Sequence, residues 1–268
     1  MADQFGFTIF AVPKSFEDTH IAMLQNNAIQ SWALLGPEVE VILCGNDAGV
    51  AEAAVRFGCL HIPDVECVES GHPLLSDVVT RAQHLASNDV VVYISADIIL
   101  LPDFAESVAN VAGHFAGKQF VMIGTRWDWG KPIELDFAGN WATRVADLAK
   151  KQGVRHSNYG MDYFVFRRGI FDNMKPFIIG WYAWDNALVL DVVRRKIPLV
   201  DASRDTFVIH QKHPERIRDR GKRGSAWQRL RNLDLAGGLD KLRVGGGGNV
   251  NRSNWQLHNG KLSKKGSQ

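Results

Sequence analysis

The stretch that decides the fold is Val90-Val-Val-Tyr-Ile-Ser-Ala-Asp-Ile-Ile-Leu-Leu-Pro-Asp103, an apolar run interrupted by Ser95 and Asp97. Its first part, Val90–Ser95, is apolar up to the serine and predicts a strand buried on both faces, as parallel sheets require. An unpaired charge inside a core is costly, so we expect Asp97 at the mouth of a crevice beyond the strand end.

Upstream of this stretch, short apolar segments alternate with segments of helical periodicity. This alternation predicts βαβ units, a mostly parallel sheet and right-handed crossovers. The predicted strands are Phe7–Val12, Val39–Cys44 and Cys59–Ile62, and the predicted helices cover about 19–32, 49–57 and 76–86.

Ligands of such sheets bind beyond the carboxyl ends of the strands. We therefore expect one crevice to be shared by Pro13-Lys14, Gly45-Asn46-Asp47, the loop through Gly71–Asp77, and Ser95-Ala-Asp97.

The second half of the chain is less regular, with strands expected near 120–124, 163–166, 199–201 and 206–210, and a helix over 184–196. We expect one domain over 1–211, made of a regular half (1–104) and an irregular half (105–211). A basic C-terminal extension would follow over 212–268.

Charge is unevenly distributed, although the net charge of the 268 residues is only +2. Residues 212–268 contain 14 Lys/Arg and 4 Asp/Glu, a net of +10, which leaves −8 for the rest. Such a segment is expected to meet an anionic partner: a diphosphate, nucleic acid or an acidic membrane surface. A solvated tail is the alternative, and it is favoured for 261–268.

No apolar run is long enough to cross a bilayer, and the first residues show no secretory pattern. Three cysteines without metal-ligand spacing favour reduced thiols. These features predict a soluble, cytoplasmic protein.

A carboxylate at the crevice suits a hard divalent cation such as Mg²⁺ or Mn²⁺, which takes oxygen ligands from protein and substrate phosphate. Asp97 could equally be a polar strand-end residue that caps the next turn. The segment alone does not separate the two interpretations.

The segment Tyr93-Ile-Ser-Ala-Asp-Ile-Ile-Leu-Leu-Pro-Asp-Phe104 resembles the Asp-x-Asp region of GT-A glycosyltransferases, particularly family-2-like enzymes, which often run Leu-Asp-Ala-Asp-Asp before Pro-Asp-Phe. Asp97 matches the second acid, whereas Ser95 replaces the first. The resemblance implies a Rossmann-like α/β fold with helices flanking the sheet. In a catalytic domain of this kind, 1–104 would be the nucleotide-binding half and 105–211 the acceptor-side half. It also implies transfer of a sugar from a UDP- or GDP-sugar to a hydroxyl on a glycan or lipid-linked acceptor, with Mn²⁺ or Mg²⁺ as cofactor. The implied donor-binding residues are Ala11, Pro13, Lys14, Asn46, Asp47, Arg81, Ser95, Ala96 and Asp97.

Asp185, in Gly180-Trp-Tyr-Ala-Trp-Asp-Asn186, precedes a predicted helix and could be its N-cap. It also resembles the general base of inverting GT-A enzymes, which takes the proton from the attacking acceptor hydroxyl. The neighbouring Trp181 and Trp184 offer flat faces on which a sugar could stack, although aromatic residues are more often core.

His210 ends a predicted strand and resembles the late histidine that several GT-A enzymes place on the metal, so the metal ligands would be Asp97 and His210. A structural, hydrogen-bonded histidine is the alternative. Asp162, which matches a family acid, and Asp128, between two tryptophans, are predicted to bind acceptor or sugar hydroxyls.

The basic stretch Lys212–Arg223 is predicted either to close over the donor diphosphate or to contact an anionic membrane, which would make the protein peripheral at its inner face.

Four other functions stay open. A retaining transferase would share the donor site, and an inactive transferase is suggested by Ser95. A sugar-nucleotide pyrophosphorylase would need a glycine-rich loop where Phe10-Ala-Val-Pro-Lys14 has none. A nucleic-acid-binding module is disfavoured by the acidic balance before Lys212 and by the absence of a known binding motif.

Overall fold

The computed structural model describes residues 5–213, 225–243 and 247–266. Within them, the helices are α1 (Thr19–Ala33), α2 (Val50–Phe57), α3 (Leu75–Leu85), α4 (Pro102–His114), α5 (Trp141–Gln152), α6 (Trp184–Arg194), α7 (Ser225–Leu235) and α8 (Leu239–Arg243). The strands are β1 (Phe7–Ala11), β2 (Val39–Cys44), β3 (Leu60–Ile62), β4 (Val90–Ile94), β5 (Ile98–Ile99), β6 (Val121–Ile123), β7 (Arg126–Trp129), β8 (Gly153–Arg155), β9 (Tyr163–Arg167), β10 (Leu199–Asp201), β11 (Val208–Gln211), β12 (Trp255–His258) and β13 (Lys261–Lys264).

The main sheet of the described residues has nine strands in the order β13-β12-β10-β6-β9-β4-β1-β2-β3. All neighbours are parallel except where β9 or β13 takes part. Because β9 runs against β4, its first residue, Tyr163, pairs with the last residue of β4, Ile94. The residue that enters β9 is therefore brought to the carboxyl end of β4.

A second sheet of four strands, in the order β5-β11-β7-β8, lies beyond that edge. Strand β5 of this sheet directly follows Asp97. Strand β11 pairs antiparallel with β5, with His210 opposite Ile98. On its other side β11 pairs in parallel with β7, which sets His210 opposite Asp128. The two sheets thus converge on the Asp97 turn.

Local sequence explains where the helices begin and end. The Asp18 side chain accepts from the backbone N–H groups of His20 and Ile21 and so caps α1. Gly58 ends α2 with a φ of 67°, a conformation that glycine adopts without steric cost. Pro102 starts α4, where its missing N–H would have no partner in the helix.

The α/β fold with a mostly parallel sheet is confirmed. Every predicted strand and helix of the first 104 residues is present with ends shifted by no more than about two residues. The wholly apolar strand is β4, all five residues of which are buried. Cys44 is also buried in the core beneath α3, as its apolar surroundings indicated.

The C-terminal residues do not follow the predicted boundary at 211/212. Strand β12 pairs in parallel with β10, and β13 completes a hairpin with it, so residues 255–264 extend the main sheet. The Asp205 side chain stabilises the turn of this hairpin, because its oxygens accept hydrogen bonds from the N–H groups of Asn259 and Gly260. Most of the predicted basic lid, 214–223, lies outside the described residues. Within the described ranges, no helix combines the length and apolar character that a membrane span needs.

Candidate active site

Asp97 lies in the turn between β4 and β5, where the sequence placed it. The turn is closed by a hydrogen bond from the Ile98 N–H to the Ser95 carbonyl, and Gln211 binds the Asp97 carbonyl through its backbone and side-chain N–H groups at 3.3 and 3.1 Å. The Asp97 side chain is only partly exposed, and its Oδ1 atom is buried without a hydrogen-bond partner among the described residues. A buried, unsatisfied carboxylate oxygen is the kind of atom that a missing ligand completes.

Two histidines face the same carboxylate. Nε2 of His213 lies 3.1 Å and Nε2 of His210 lies 3.6 Å from Asp97 Oδ2. One ligand atom from each of the three side chains falls within 4.8 Å of the others. One carboxylate oxygen and two imidazole nitrogens form a set that Mn²⁺, Mg²⁺ or Zn²⁺ can accept, so the residues fit a divalent cation. His213 was not predicted, although the His210-x-x-His213 spacing after a strand end was a signal for it.

The charges of this cluster favour its ionised form. Burial opposes ionisation of Asp97, but hydrogen bonds with His210 and His213 hold the pKa of its carboxyl well below 3.8. Burial likewise disfavours the charged form of His210, yet the Asp97 carboxylate raises the pKa of that imidazole above its ordinary value. The His210 imidazole therefore provides positive charge next to the Asp97 carboxylate.

Asp128 lies behind His210 on β7. Its Oδ1 is 3.0 Å from Nδ1 of His210 and accepts from Nε of Arg126 at 2.9 Å, and its Oδ2 is 2.7 Å from Nδ1 of His156. With Nδ1 turned to Asp128, His210 keeps Nε2 for Asp97. Carboxylate-to-histidine contacts of this kind orient metal-ligating imidazoles in general.

The prediction that Asp128 binds sugar hydroxyls does not fit this environment. Its side chain is only 6% exposed, and both of its oxygens already have protein partners. Asp128 is placed to orient His210 instead.

Asp162 is one residue before β9, and its carbonyl accepts from the Ser95 N–H at 3.0 Å. Its carboxylate makes a bidentate pair with Nη1 of Arg126, at 2.7 and 2.6 Å. Arg126 therefore joins Asp162 to Asp128 and neutralises charge between them. Arg126 was not predicted, because a lone arginine in an irregular segment carries no spacing signal.

Asp185 lies in the first turn of α6 and is not its N-cap. The cap position is Ala183, which makes no side-chain cap, so the capping interpretation of Asp185 is corrected. Burial, and secondly the Asp162 carboxylate, raise the pKa of Asp185 to about 6 against the lowering effect of the Asn186 N–H. A carboxylate with this pKa is half-protonated at about pH 6 and largely ionised at pH 7, so it can accept a proton near neutrality.

Ala183 has a φ of 87° and is buried, which is unusual for a residue other than glycine. Such a conformation costs on the order of 1 kcal/mol or more and persists only where packing enforces it. Here the next residue, Trp184, packs edge-on against Tyr93 of β4 and tilted against Phe164 of β9, at 5.3 and 5.7 Å between ring centroids. The strained turn thus precedes a helix start, Trp184, that packs against β4 and β9, and Asp185 is the next residue.

The two predicted tryptophans occupy different environments. Trp184 is 9% exposed and belongs to the core, so the prediction that its ring stacks on a sugar does not fit its position. Trp181 is partly exposed and packs edge-on against His72 at 5.6 Å, and its Nε1 is buried without a partner among the described residues. Its role as a sugar platform stays a prediction.

The predicted donor-binding residues occupy the ends of β1, β2 and β4 and one helix. Lys14 is exposed, while its backbone N–H and carbonyl are both bound by the Gln25 side chain, and its charge lowers the Asp97 pKa. Arg81 is paired with Asp77 on the exposed side of α3 at 2.8 Å. The others are the buried Ala11, Pro13 and Ala96, the partly buried Asp47 and Ser95, and the exposed Asn46.

The sequence matches no known protein family profile and no curated protein. The structure is similar to that of glucosyl-3-phosphoglycerate synthase from Mycobacterium tuberculosis in complex with Mg²⁺ and UDP, with a TM-score of 0.50 and 16% identity over 87% of this chain and 80% of that one. The same enzyme with Mn²⁺, UDP and phosphoglyceric acid gives a TM-score of 0.50 and 15% identity over 87% and 79%. At this level of identity the likeness concerns the fold. The chain therefore adopts the α/β fold of GT-A nucleotide-sugar glycosyltransferases, as the segment around Asp97 predicted.

Proposed function

We propose that this protein is a metal-assisted glycosyltransferase that moves a sugar from a UDP- or GDP-sugar to a hydroxyl acceptor. The observation that carries the proposal is the cluster of Asp97, His210 and His213 at the carboxyl edge of the main sheet. The fold supports it, because the similar mycobacterial synthase is described in complex with UDP and Mg²⁺ or Mn²⁺.

Mn²⁺ or Mg²⁺ would be held by Asp97, His210 and His213, with the unsatisfied Oδ1 of Asp97 available as an oxygen donor. When bound, the ion would supply positive charge to the diphosphate oxygens of the donor and so make the nucleoside diphosphate a better leaving group. A site with one protein carboxylate suits a cation that takes further ligands from substrate phosphate. Ser95 supplies no second carboxylate, and the histidines take that place.

The donor would lie along the ends of β1, β2 and β4. Lys14 is close enough to Asp97 to affect its ionisation, and it would meet the diphosphate as a second positive charge. Asn46 and Asp47 follow β2 and would meet the nucleoside, and the Ser95-Ala96 backbone would lie beneath it. Arg81 would have to leave its pair with Asp77 to reach a phosphate.

Asp185 is the base in this proposal. Its carboxylate takes the proton of the acceptor hydroxyl while that oxygen forms a bond to the anomeric carbon and the bond to the diphosphate oxygen breaks. A single displacement of this kind inverts the anomeric configuration. Asp162, which is bound by Arg126 and raises the pKa of Asp185, would hold an acceptor or donor hydroxyl with a remaining lone pair.

The test is a thermal-shift and calorimetric screen of UDP- and GDP-sugars with and without Mn²⁺, followed by turnover with simple sugar and glycerol acceptors. We expect one class of donor to bind in a Mn²⁺-dependent way, and EDTA to remove that binding and the turnover. Full turnover in excess EDTA would contradict the metal role of Asp97. NMR of the product anomeric proton checks the base: retention of configuration would contradict the assignment of Asp185.

A further inference from the structure

The four-stranded sheet has a second face that the proposed reaction does not use. On β7 the side chains of Arg126 and Asp128 point toward the His210 cluster, so Trp127 between them points to the opposite face. Arg155 of β8 pairs directly with Trp127 and therefore lies on that face too, whereas the next residue, His156, reaches back to Asp128.

This second face is one wall of a cavity of about 590 Å³, a size in the range of small-molecule sites. The cavity lies between β7, the end of α5, the loop that leads into β11 and the end of β12. Its lining residues are Asp103, Trp127, Lys150, Arg155, Ser203, Arg204, Asp205, Thr206, Phe207 and His258.

Three cationic side chains line this cavity, and of these Lys150 acts electrostatically on the Asp103 carboxylate. Lys150, Arg155 and Arg204 are exposed and form no ion pair with any carboxylate in the part of the chain that the structure describes. Arg155 uses only Nε, in a hydrogen bond to Thr125 Oγ1 at 3.2 Å, and Lys150 Nζ lies 5.2 Å from the centroid of the Phe207 ring. Two guanidinium forks and an ammonium around one cavity suit a doubly charged oxyanion such as a phosphate ester.

The two acidic residues of the cavity differ in how many of their carboxylate oxygens accept a hydrogen bond. Both oxygens of Asp205 are occupied, since they accept from the backbone of Asn259 and Gly260. Asp103 accepts from the Phe207 N–H with Oδ2, but its Oδ1 is buried and has no partner within the described ranges. An acceptor left unsatisfied at a cavity wall matches a hydroxyl donor on a ligand.

Two aromatic side chains also line the cavity. Trp127 and Phe207 pack with their ring centroids 5.1 Å apart and are both partly exposed. The rings are tilted by 51° to each other, and each offers an apolar face to the C–H groups of a small polyol or sugar. The wall is also firmly built, because Ser203 Oγ accepts from the Thr125 N–H at 2.8 Å and Thr206 Oγ1 donates to the Ala202 carbonyl at 3.0 Å.

We propose that this cavity is a second binding site, separate from the Asp97 cluster, for a small phosphomonoester that carries hydroxyl groups. The phosphate is held by Arg155, Arg204 and Lys150, and a hydroxyl donates to Asp103 Oδ1. Because the cavity and the metal cluster share β7, the ligand occupies the reverse side of the strand that orients His210. The site stands on its own residues and does not depend on the proposed transfer reaction.

The experiment is calorimetric titration of the metal-free protein with glycerol 3-phosphate, inorganic phosphate and glycerol. We expect glycerol 3-phosphate to bind, inorganic phosphate to bind more weakly, and glycerol not to bind. The double variant Arg155→Gln/Arg204→Gln should raise the dissociation constant for glycerol 3-phosphate by at least about tenfold, and Asp103→Asn should reduce its advantage over inorganic phosphate. Arg194→Gln, an exposed arginine of α6 outside both sites, is the matched control and should bind like the unaltered protein.

Two outcomes would overturn the proposal. One is equal affinity of the double variant and the Arg194→Gln control, or no binding to either. The other is loss of glycerol 3-phosphate binding in Asp97→Asn with binding retained in the double variant, which would assign the anion to the metal cluster. Neither outcome changes the test of glycosyl transfer, because no nucleotide sugar or metal is present in this titration.

Discussion

Asp97 and Asp185 lie at the same edge of the main sheet, but their surroundings shift their pKa values in opposite directions. Asp97 is buried against two histidines, and their hydrogen bonds outweigh burial and lower its pKa well below 3.8. Asp185 is buried beside another carboxylate, Asp162, and its pKa rises to about 6. Two acids whose environments push their pKa values apart can divide the work of a reaction between them. The first stays ionised and suits a cation, and the second exchanges a proton near neutrality.

The largest expected effect comes from removing the proton acceptor. Asp185→Asn keeps the shape and the hydrogen bond from the Asn186 N–H but cannot take a proton. We expect the turnover number to fall about 10² to 10⁴-fold, with donor affinity nearly unchanged. Turnover and donor binding by calorimetry measure the two quantities separately. Asp191→Asn on the same helix is the control, and unimpaired turnover of Asp185→Asn would remove Asp185 from the role of base.

The next prediction concerns the other member of the pair. Asp97→Asn removes the one carboxylate of the metal cluster and leaves His210 and His213 in place. We expect Mn²⁺ affinity, measured by calorimetry or electron paramagnetic resonance, to fall by 100-fold or more, on the order of 3 kcal/mol, since a charged ligand becomes neutral. Added Mn²⁺ should restore little turnover. Unchanged Mn²⁺ affinity would place the cation elsewhere.

A smaller loss of Mn²⁺ affinity is expected when Asp128, which contacts His210, is changed. Asp128→Ala leaves all three ligand groups present but removes the carboxylate that turns Nδ1 of His210 away from the site. We expect a loss of about 10 to 100-fold in Mn²⁺ affinity, the usual effect of removing a group that orients a ligand. Asp128→Asn retains an acceptor oxygen and should recover part of this loss, which a purely structural role would not predict. Mn²⁺ titration of both folded variants makes the comparison.

The contrast between the two acids also explains what the sequence could predict. Asp97 was found because it interrupts an apolar strand in a parallel sheet, where topology sends the strand end to the ligand edge. His210 followed from a strand-end position, but its partner Asp128 was interpreted as a sugar ligand. The pairing of β11 with β7 joins residues 82 positions apart, and no local pattern encodes such a contact. For the same reason the strands of the first 104 residues were predicted well, whereas β7, β8 and the β12–β13 hairpin were not.

For Asp185, the sequence predicted the residue but not its surroundings. An acid in the sequence near a helix start looks like an N-cap, and only the backbone shows that the cap is Ala183 with its positive φ. Its raised pKa depends on burial and on Asp162, 23 residues earlier in the chain, which arrives through the antiparallel pairing of β9 with β4. The residue type was readable from the sequence, but its environment depends on tertiary structure.

The pH dependence of turnover sharpens the comparison further. A base with a pKa of about 6 is ionised above that pH and protonated below it. We expect turnover under saturating donor and Mn²⁺ to be level above about pH 7 and to fall close to tenfold per pH unit below pH 6. Arg126→Gln should move this midpoint upward, because the Arg126 charge lowers the pKa of Asp185. A midpoint near pH 4 would mean that the reacting acid is not raised by burial.

The smallest effect is on stability, and it has the opposite sign to the effect on activity. Asp185 has a folded pKa of about 6 against an ordinary value of 3.8, so the folded state holds this proton more tightly than the unfolded chain does. Unfolding free energy is therefore lost as the pH rises from about 4 through 6, and above that the ionised carboxylate costs at most about 3 kcal/mol. Asp185→Asn removes this cost, and we expect a higher midpoint of urea unfolding than the unaltered protein at pH 8 and a clearly smaller difference at pH 4.5. An equal or lower midpoint at pH 8 would mean that the ionised carboxylate is stabilised in place, and the contrast with Asp97 would then fail. A variant that is more stable and yet inactive would show that the fold tolerates an unfavourable charge at the position where the proposed reaction needs one.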